Sequence, residues 1–203
     1  MILKGLSMSD IRYYYSFRSP YAWLATLAVV EKGLDVDPVP LAKMPEGMDF
    51  PGVGVKPNKS KSSYFIKDIV RLSKRAGKKL TFPDPFELDW SKAHAPAHYA
   101  KGRGKALDYI AAAYEARWVR GENISEDEVI KKIASEVGLD PTDTVAAAND
   151  PAVQNAMMAE LDATLETDQP FGVPYFIYQG EPFWGQDRIA LLEERLAETR
   201  AQD

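Results

Sequence analysis

The tightest limit on what this chain can fold into is an aromatic run that leads directly into a serine–proline pair. Ile11 to Phe17 (IRYYYSF) has the aromatic content of a half-buried strand. Ser19-Pro20 then supplies an N-cap residue followed by a first-turn proline. Tyr21 to Lys32 reads as a helix that stops at Gly33. Asp35 to Leu41 (DVDPVPL) returns to extended structure, and its two prolines suit a sheet edge or a strand end. The chain therefore opens as β-α-β.

The middle has a different character. Met44 to Asn58 is rich in Gly and Pro and reads as a long loop. From Lys61 to Thr167 the pattern is mostly helical. Phe65, Ile69 and Leu72 form one apolar stripe, and Leu107, Ile110, Ala111, Tyr114 and Trp118 form another. Ser125 with Glu128 predicts a capping box ahead of Val129, Ile130, Ile133, Ala134 and Val137, with Gly138 closing that helix. Asp140-Pro141 and Asp150-Pro151 each predict a cap and a first-turn proline, and Val153, Met157, Leu161 and Leu165 face inward on the helix that follows.

Structure is again mixed at the end. Pro174 to Gln179 (PYFIYQ) reads as a strand, Gly180-Glu181 as a turn and Pro182 to Gly185 as a short partner strand. A final helix from about Asp187 buries Ile189, Leu192 and Leu196. The order β-α-β, helical block, β-β-α is that of an α/β, thioredoxin-like fold carrying a large all-helical insertion. The expected division is 9–43 for the first thioredoxin-like part, 44–168 for the loop and insertion, and 169–203 for the second part.

Composition narrows the chemistry. The 203 residues carry a net charge of −5 and no cysteine. Disulfides, thiolate zinc, iron–sulfur clusters and a cysteine nucleophile from this chain are thereby excluded. The acidic balance argues against a nucleic-acid surface built on bulk charge. Without an apolar run near 18 residues or a secretory h-region, the reading is no membrane span and a cytoplasmic location. Met8 is a plausible alternative start after a loose tail. No Walker loop, dinucleotide fingerprint, HExxH or G-x-S-x-G is present.

Four places can carry chemistry. Ser19-Pro20-Tyr21-Ala22 stands where a thioredoxin-like fold puts C-x-x-C, at a helix start that favours an anion. Ser19 either only caps the helix or also donates to an anion brought by a ligand. Val173-Pro174 stands where such folds place a cis-proline facing that helix start, the alternative being an ordinary trans proline opening a strand. Gln186 and Asp187 present an amide and a carboxylate before the last helix, either for an α-amino acid end or as a plain helix start. His94 and His98 are four apart, but Pro96 intervenes and no third ligand is visible, so the reading is no metal. The basic residues from Lys56 to Lys79 read as a solvated face able to attract an anionic substrate locally, and Tyr13, Tyr14 and Tyr15 read as sheet residues.

The stretches RYYYSFRSPYAWLA, PNKSKSSYFIKDIVRL and FGVPYFIYQGEPFWGQDRIALLEERL together resemble the 2-hydroxychromene-2-carboxylate isomerases. These are relatives of the kappa-class glutathione transferases in the DsbA-like branch of thioredoxin folds, and the resemblance covers nearly the whole chain in order. It implies glutathione as cofactor, a small aromatic hydroxy acid as substrate, and a homodimer. By position, Ser19 matches the serine that contacts the glutathione sulfur. Lys61 matches the lysine that reaches the glycyl carboxylate, with Lys59 the competing match. Val173, ahead of Pro174, matches the residue whose backbone pairs with the cysteinyl part, and Gln186 and Asp187 match the pair that grips the γ-glutamyl end. The chain departs from its relatives at Gly52, where they commonly carry an asparagine of the active-site loop. A glutathione transferase that conjugates electrophiles, or a non-catalytic thioredoxin-fold binding module, are the alternatives to an isomerase.

Overall fold

The structure, a computed structural model, describes residues 9–42 and 59–201. The predicted tail with Met8 and the loop with Gly52 lie outside these residues. Strand β1 (Ile11–Tyr15) runs into helix α1 (Pro20–Lys32) where the aromatic run ends. Ser19 is extended, its Oγ accepts the Ala22 N–H at 3.2 Å, and Pro20 takes the first helical position. Gly33 ends the helix at φ 62°, a left-handed conformation that suits a residue without Cβ. Strand β2 (Asp37–Pro40) then lies parallel to β1 at the sheet edge. Its prolines are tolerated there because an edge can spare N–H donors.

Among the described residues six helices follow: α2 (Lys59–Arg75), α3 (Trp90–Lys101), α4 (Ala106–Trp118), α5 (Asp127–Glu136), α6 (Pro141–Asn149) and α7 (Pro151–Asp168). The chain finishes with β3 (Tyr175–Tyr178), β4 (Glu181–Trp184), a 3₁₀ turn (Gln186–Arg188) and α8 (Ile189–Arg200). The sheet order is β2-β1-β3-β4, with β3 antiparallel to β1 and β4 antiparallel to β3. This is the expected α/β architecture, with the helical block between the two thioredoxin-like parts.

Two local expectations are corrected. No capping box forms at Ser125, because Asn123 Oδ1 accepts both the Ser125 N–H at 3.1 Å and its hydroxyl at 2.7 Å. Helix α5 starts two residues later, with Glu126 at the N-cap and no side-chain cap bond. The β3–β4 turn is Gln179-Gly180, both at positive φ (51° and 81°), so Glu181 already belongs to β4. Asp140 and Asp150 do cap α6 and α7, accepting from Asp143 N and Ala152 N at 2.8 Å each.

Alternation along β1 divides its tyrosines between the two faces of the sheet. Tyr13 points to α1: its hydroxyl donates to Ala22 O at 2.9 Å and lies 2.8 Å from Thr26 Oγ1, while its ring stacks on Phe176 at 4.7 Å. Tyr14 points to α7 and donates to Asp168 Oδ2 at 2.7 Å. Arg12 pairs with the same carboxylate, whose side chain is nearly all buried. Asp168 thus ties the end of α7 to the central strand. Asp168→Asn keeps the shape but leaves Arg12 without its counter-charge. A loss of about 2 kcal/mol is expected, below the usual range for a buried pair because Arg12 is partly solvated. Urea unfolding reads this directly, and an unchanged midpoint would show that the pair contributes nothing.

Candidate ligand site at the strand-to-helix corner

Between β1 and α1 the residues Ser16 to Ser19 belong to neither element, so their backbone groups need partners from elsewhere. Ser16 O accepts from Ser19 N at 2.9 Å and from the Tyr114 hydroxyl at 2.8 Å. Phe17 N–H donates to His94 Nε2 at 3.0 Å, and Phe17 O accepts the Trp118 indole N–H at 3.1 Å. Three side chains of α3 and α4 therefore hold the corner. Tyr114 and Trp118 were legible as buried residues of an apolar stripe, but not as donors. His94 carried no signal beyond its spacing from His98, because its partner lies 77 residues away in the chain.

His94 is engaged at both ring nitrogens. A backbone N–H only donates, so His94 Nε2 accepts and Nδ1 carries the proton, donated to Trp90 O at 2.7 Å. His94 is fully buried, and burial lowers its pKa to about 4; the bond to Trp90 O opposes this shift and nearby Arg117 adds to it. Its ring stacks on Phe17 at 4.6 Å. His98 lies 3.0 Å from Glu160 Oε2. Among the described residues no group of three or more His, Asp or Glu side chains could hold a metal ion.

Hydrogen bonds bring most of the sequence-predicted residues together. Ser19 Oγ is 3.4 Å from Val173 O, a long and therefore weak donation across to the loop before β3. The Val173–Pro174 peptide is cis, as expected, and so is Asp84–Pro85, which was not anticipated. Pro174 O accepts the Gly185 N–H at 3.0 Å, so the same loop holds the turn that carries Gln186 and Asp187. Gly185 sits at φ 115°, a conformation that favours glycine; a Cβ there would come within 2.6 Å of Asp187 Oδ1, which an exposed carboxylate can relieve by turning away. The 3₁₀ turn packs against α1. Asp187 is solvent-exposed and bonded to Arg188 Nη1 at 2.5 Å.

Lys61 and Lys59 are exposed at the start of α2. That helix docks on α1 further along, where the Tyr21 hydroxyl donates to Asp68 Oδ2 at 3.0 Å and Tyr21 meets the Phe65 ring at 5.6 Å. Lys59 lines a shallow depression on α2 with Ser60, Ser63, Tyr64 and Lys67. The arrangement offers a hydroxyl and a helix start for an anion, a backbone strip at Val173, an exposed carboxylate at Asp187 and cations on α2.

A family model described as a DSBA-like thioredoxin domain matches residues 10–197. The chain is 27% identical over 194 residues to a 2-hydroxychromene-2-carboxylate isomerase of Sphingobium xenophagum, covering 92% of this chain and 97% of that protein. A solved 2-hydroxychromene-2-carboxylate isomerase shares its fold with a TM-score of 0.76 at 20% identity, over 95% of this chain and 96% of the other. The cytosolic disulfide reductase DsbM of Pseudomonas aeruginosa, solved with GSH, gives 0.63 at 20% identity over 92% and 98%.

The buried histidine sets a pH dependence. Its folded pKa near 4 lies below its ordinary value near 6.5, so the unfolded chain takes up the proton first. The stability contribution is complete above pH 6.5, is lost as pH falls towards 4, and falls no further below that. About 3 kcal/mol is expected to go over that window. Urea unfolding of the wild type and His94→Gln between pH 7 and 4 checks it. The variant starts less stable and shows the shallower dependence; parallel curves would mean that His94 does not titrate this way.

Proposed function

The chain belongs to the DSBA-like thioredoxin domain family, and we propose that it is a glutathione-dependent isomerase of 2-hydroxychromene-2-carboxylate or a similar aromatic hydroxy acid. The observation that carries this reading is the Ser19 hydroxyl, held at the start of α1 and turned towards Val173 O. Kinship over nearly full length with a protein named for that isomerisation supports the substrate class.

The residues present fit the cofactor. Backbone groups at Val173, beside Pro174, offer a strip for the cysteinyl part of a peptide. Asp187 offers a carboxylate, with the Gln186 amide beside it, for an α-ammonium group; its present exposed pairing with Arg188 is worth at most about 1 kcal/mol and is readily exchanged. Lys61 or Lys59 supplies the cation for a terminal carboxylate. When bound, glutathione supplies the sulfur nucleophile that this chain lacks.

Ser19 and its helix have to favour the anionic form of a thiol whose ordinary pKa is about 8.5. Lowering that by two units needs about 2.7 kcal/mol of preference for the anion. One hydroxyl donated to a charge contributes about 1.5–3 kcal/mol, and a helix start adds about 0.3–1. Turning the hydroxyl away from Val173 O costs little because that bond is long. The two contributions suffice without a general base.

Ser19→Ala is expected to cut glutathione-dependent turnover of 2-hydroxychromene-2-carboxylate at least tenfold. Its unfolding free energy should fall by only about 1 kcal/mol, the loss of a helix cap. Equal turnover in the variant would remove Ser19 from the mechanism. Product analysis tests the reaction class: free glutathione is recovered intact after many turnovers by an isomerase, whereas its consumption would make the protein a conjugating transferase. A wild type that gains no thermal stability from millimolar glutathione would be a binding module instead.

A further inference from the structure

Arg117, near the end of α4, is fully buried yet poorly satisfied. Its Nη2 donates to Phe86 O at 2.6 Å, while Nε and Nη1 have no partner among the described residues. The rings of Trp90, Trp118 and Phe86 surround the guanidinium at 4.9, 5.5 and 5.6 Å. Ring faces attract the cation but do not satisfy its in-plane N–H donors, and a buried donor without an acceptor is unfavourable. Burial lowers the Arg117 pKa to about 10, with Glu87 opposing the shift and Arg18 adding to it. Glu87 follows Phe86 in the chain and accepts from Trp90, so its carboxylate, and Arg18 paired with it, adjoin this cage.

Those two neighbours connect the arginine cage to the catalytic corner. Arg18 immediately precedes Ser19, and its Nη2 donates to Glu87 Oε1 at 2.5 Å. Glu87 Oε2 accepts the Trp90 indole N–H at 3.0 Å. Glu87 belongs to the irregular segment between α2 and α3, and its side chain is 59% exposed, against 18% for Arg18. A carboxylate thus already sits on the guanidinium next to Ser19, held by an exposed bond that exchanges readily. Phe86, the residue before it, is half-exposed over Trp118.

We propose that Arg18, backed by Arg117, is the carboxylate site for the aromatic acid, that Phe86 and Trp90 face its ring, and that Glu87 is an internal carboxylate competing for the same guanidinium. This rests on the reading of the Ser19 corner as the reaction site and names the side chains that hold the acid beside it. The planar fork of Arg18 matches a carboxylate with two parallel bonds.

Binding, rather than turnover, tests it. Salicylate and its uncharged amide, salicylamide, are titrated by calorimetry into the wild type, Glu87→Gln and Arg18→Met. Gln at 87 still accepts from Trp90 but no longer competes as a charge. That variant is expected to bind salicylate about tenfold more tightly and salicylamide as before. Arg18→Met is expected to lose the preference for the acid over the amide. Equal changes for acid and amide, an unaltered preference in Arg18→Met, or no salicylate binding in any of the three proteins would overturn the proposal. A glutathione titration of the same proteins separates the two readings. Glutathione binding without the salicylate pattern sinks the carboxylate site alone, whereas the pattern without glutathione binding sinks the Ser19 reading and leaves this site standing.

Discussion

Everything at the ligand site depends on satisfying the backbone of Ser16 and Phe17 where β1 stops and α1 has not begun. The Ser19 N–H reaches back to Ser16 O, but the other partners have to come from outside the two elements. His94, Tyr114 and Trp118 do so from two helices of the insertion, with bonds of 2.8–3.1 Å in a buried setting. Leaving a buried backbone group unpaired costs about 1–3 kcal/mol. The two bonds to Phe17 therefore hold a sizeable share of the stability of an ordinary domain. The insertion is thus part of the site's foundation, since without α3 and α4 the Phe17 N–H and carbonyl would lose these partners and Ser16 O would keep only the Ser19 N–H.

This foundation gives the site one well-fixed side. Phe17 is held at its N–H, its carbonyl and its ring, which stacks on His94 and meets Tyr114 edge-on at 5.0 Å. Ser19 follows two residues later, so the hydroxyl and the helix start arrive already oriented, which is how a preorganised donor acts on developing charge. Across from it, Val173 and the turn at Gly185 are joined through Pro174 O. The lysine side is built differently. Helix α2 has only Ile69 and Ser73 fully buried, and it meets α1 through Tyr21, Phe65 and Asp68. In the proposed function the cations it carries would act by charge on a surface, while Ser19 would act by placement.

Local chemistry was the legible part of the sequence. Ser19, Asp140 and Asp150 cap their helices because a capping side chain and a following proline act within one turn, with no help from elsewhere. The aromatic strand and the helical stripes fell where their periods put them. Ser125 failed for an equally local reason: an Asx turn at Asn123 took its hydroxyl, and the spacing to Glu128 carried no sign of that competition. Non-local bonds were illegible. The link between Phe17 and His94, the charge of Asp168 under Tyr14 and Arg12, and the Arg18–Glu87 bridge all join residues more than 60 positions apart. Order and periodicity put the elements in place, but they do not say which polar atom of one element completes another.

The protonation states around the corner bear on how an anion would be stabilised there. Burial pushes Tyr15 and Tyr114 well above the ordinary tyrosine range and His94 down to about 4, so all three are neutral near pH 7. His94 has both nitrogens committed, and protonating Nε2 would set it against the Phe17 N–H. None of the three can take a proton from a ligand at neutral pH. A thiol bound at this helix start would then lose its proton to solvent and be held as an anion by the Ser19 hydroxyl and the helix dipole. If the proposed thiol chemistry holds, a chain without cysteine has to receive the sulfur with its ligand. The neutral packing that holds the corner rigid thus also leaves Ser19 as the polar side chain there with a hydrogen bond weak enough to exchange for one to that sulfur.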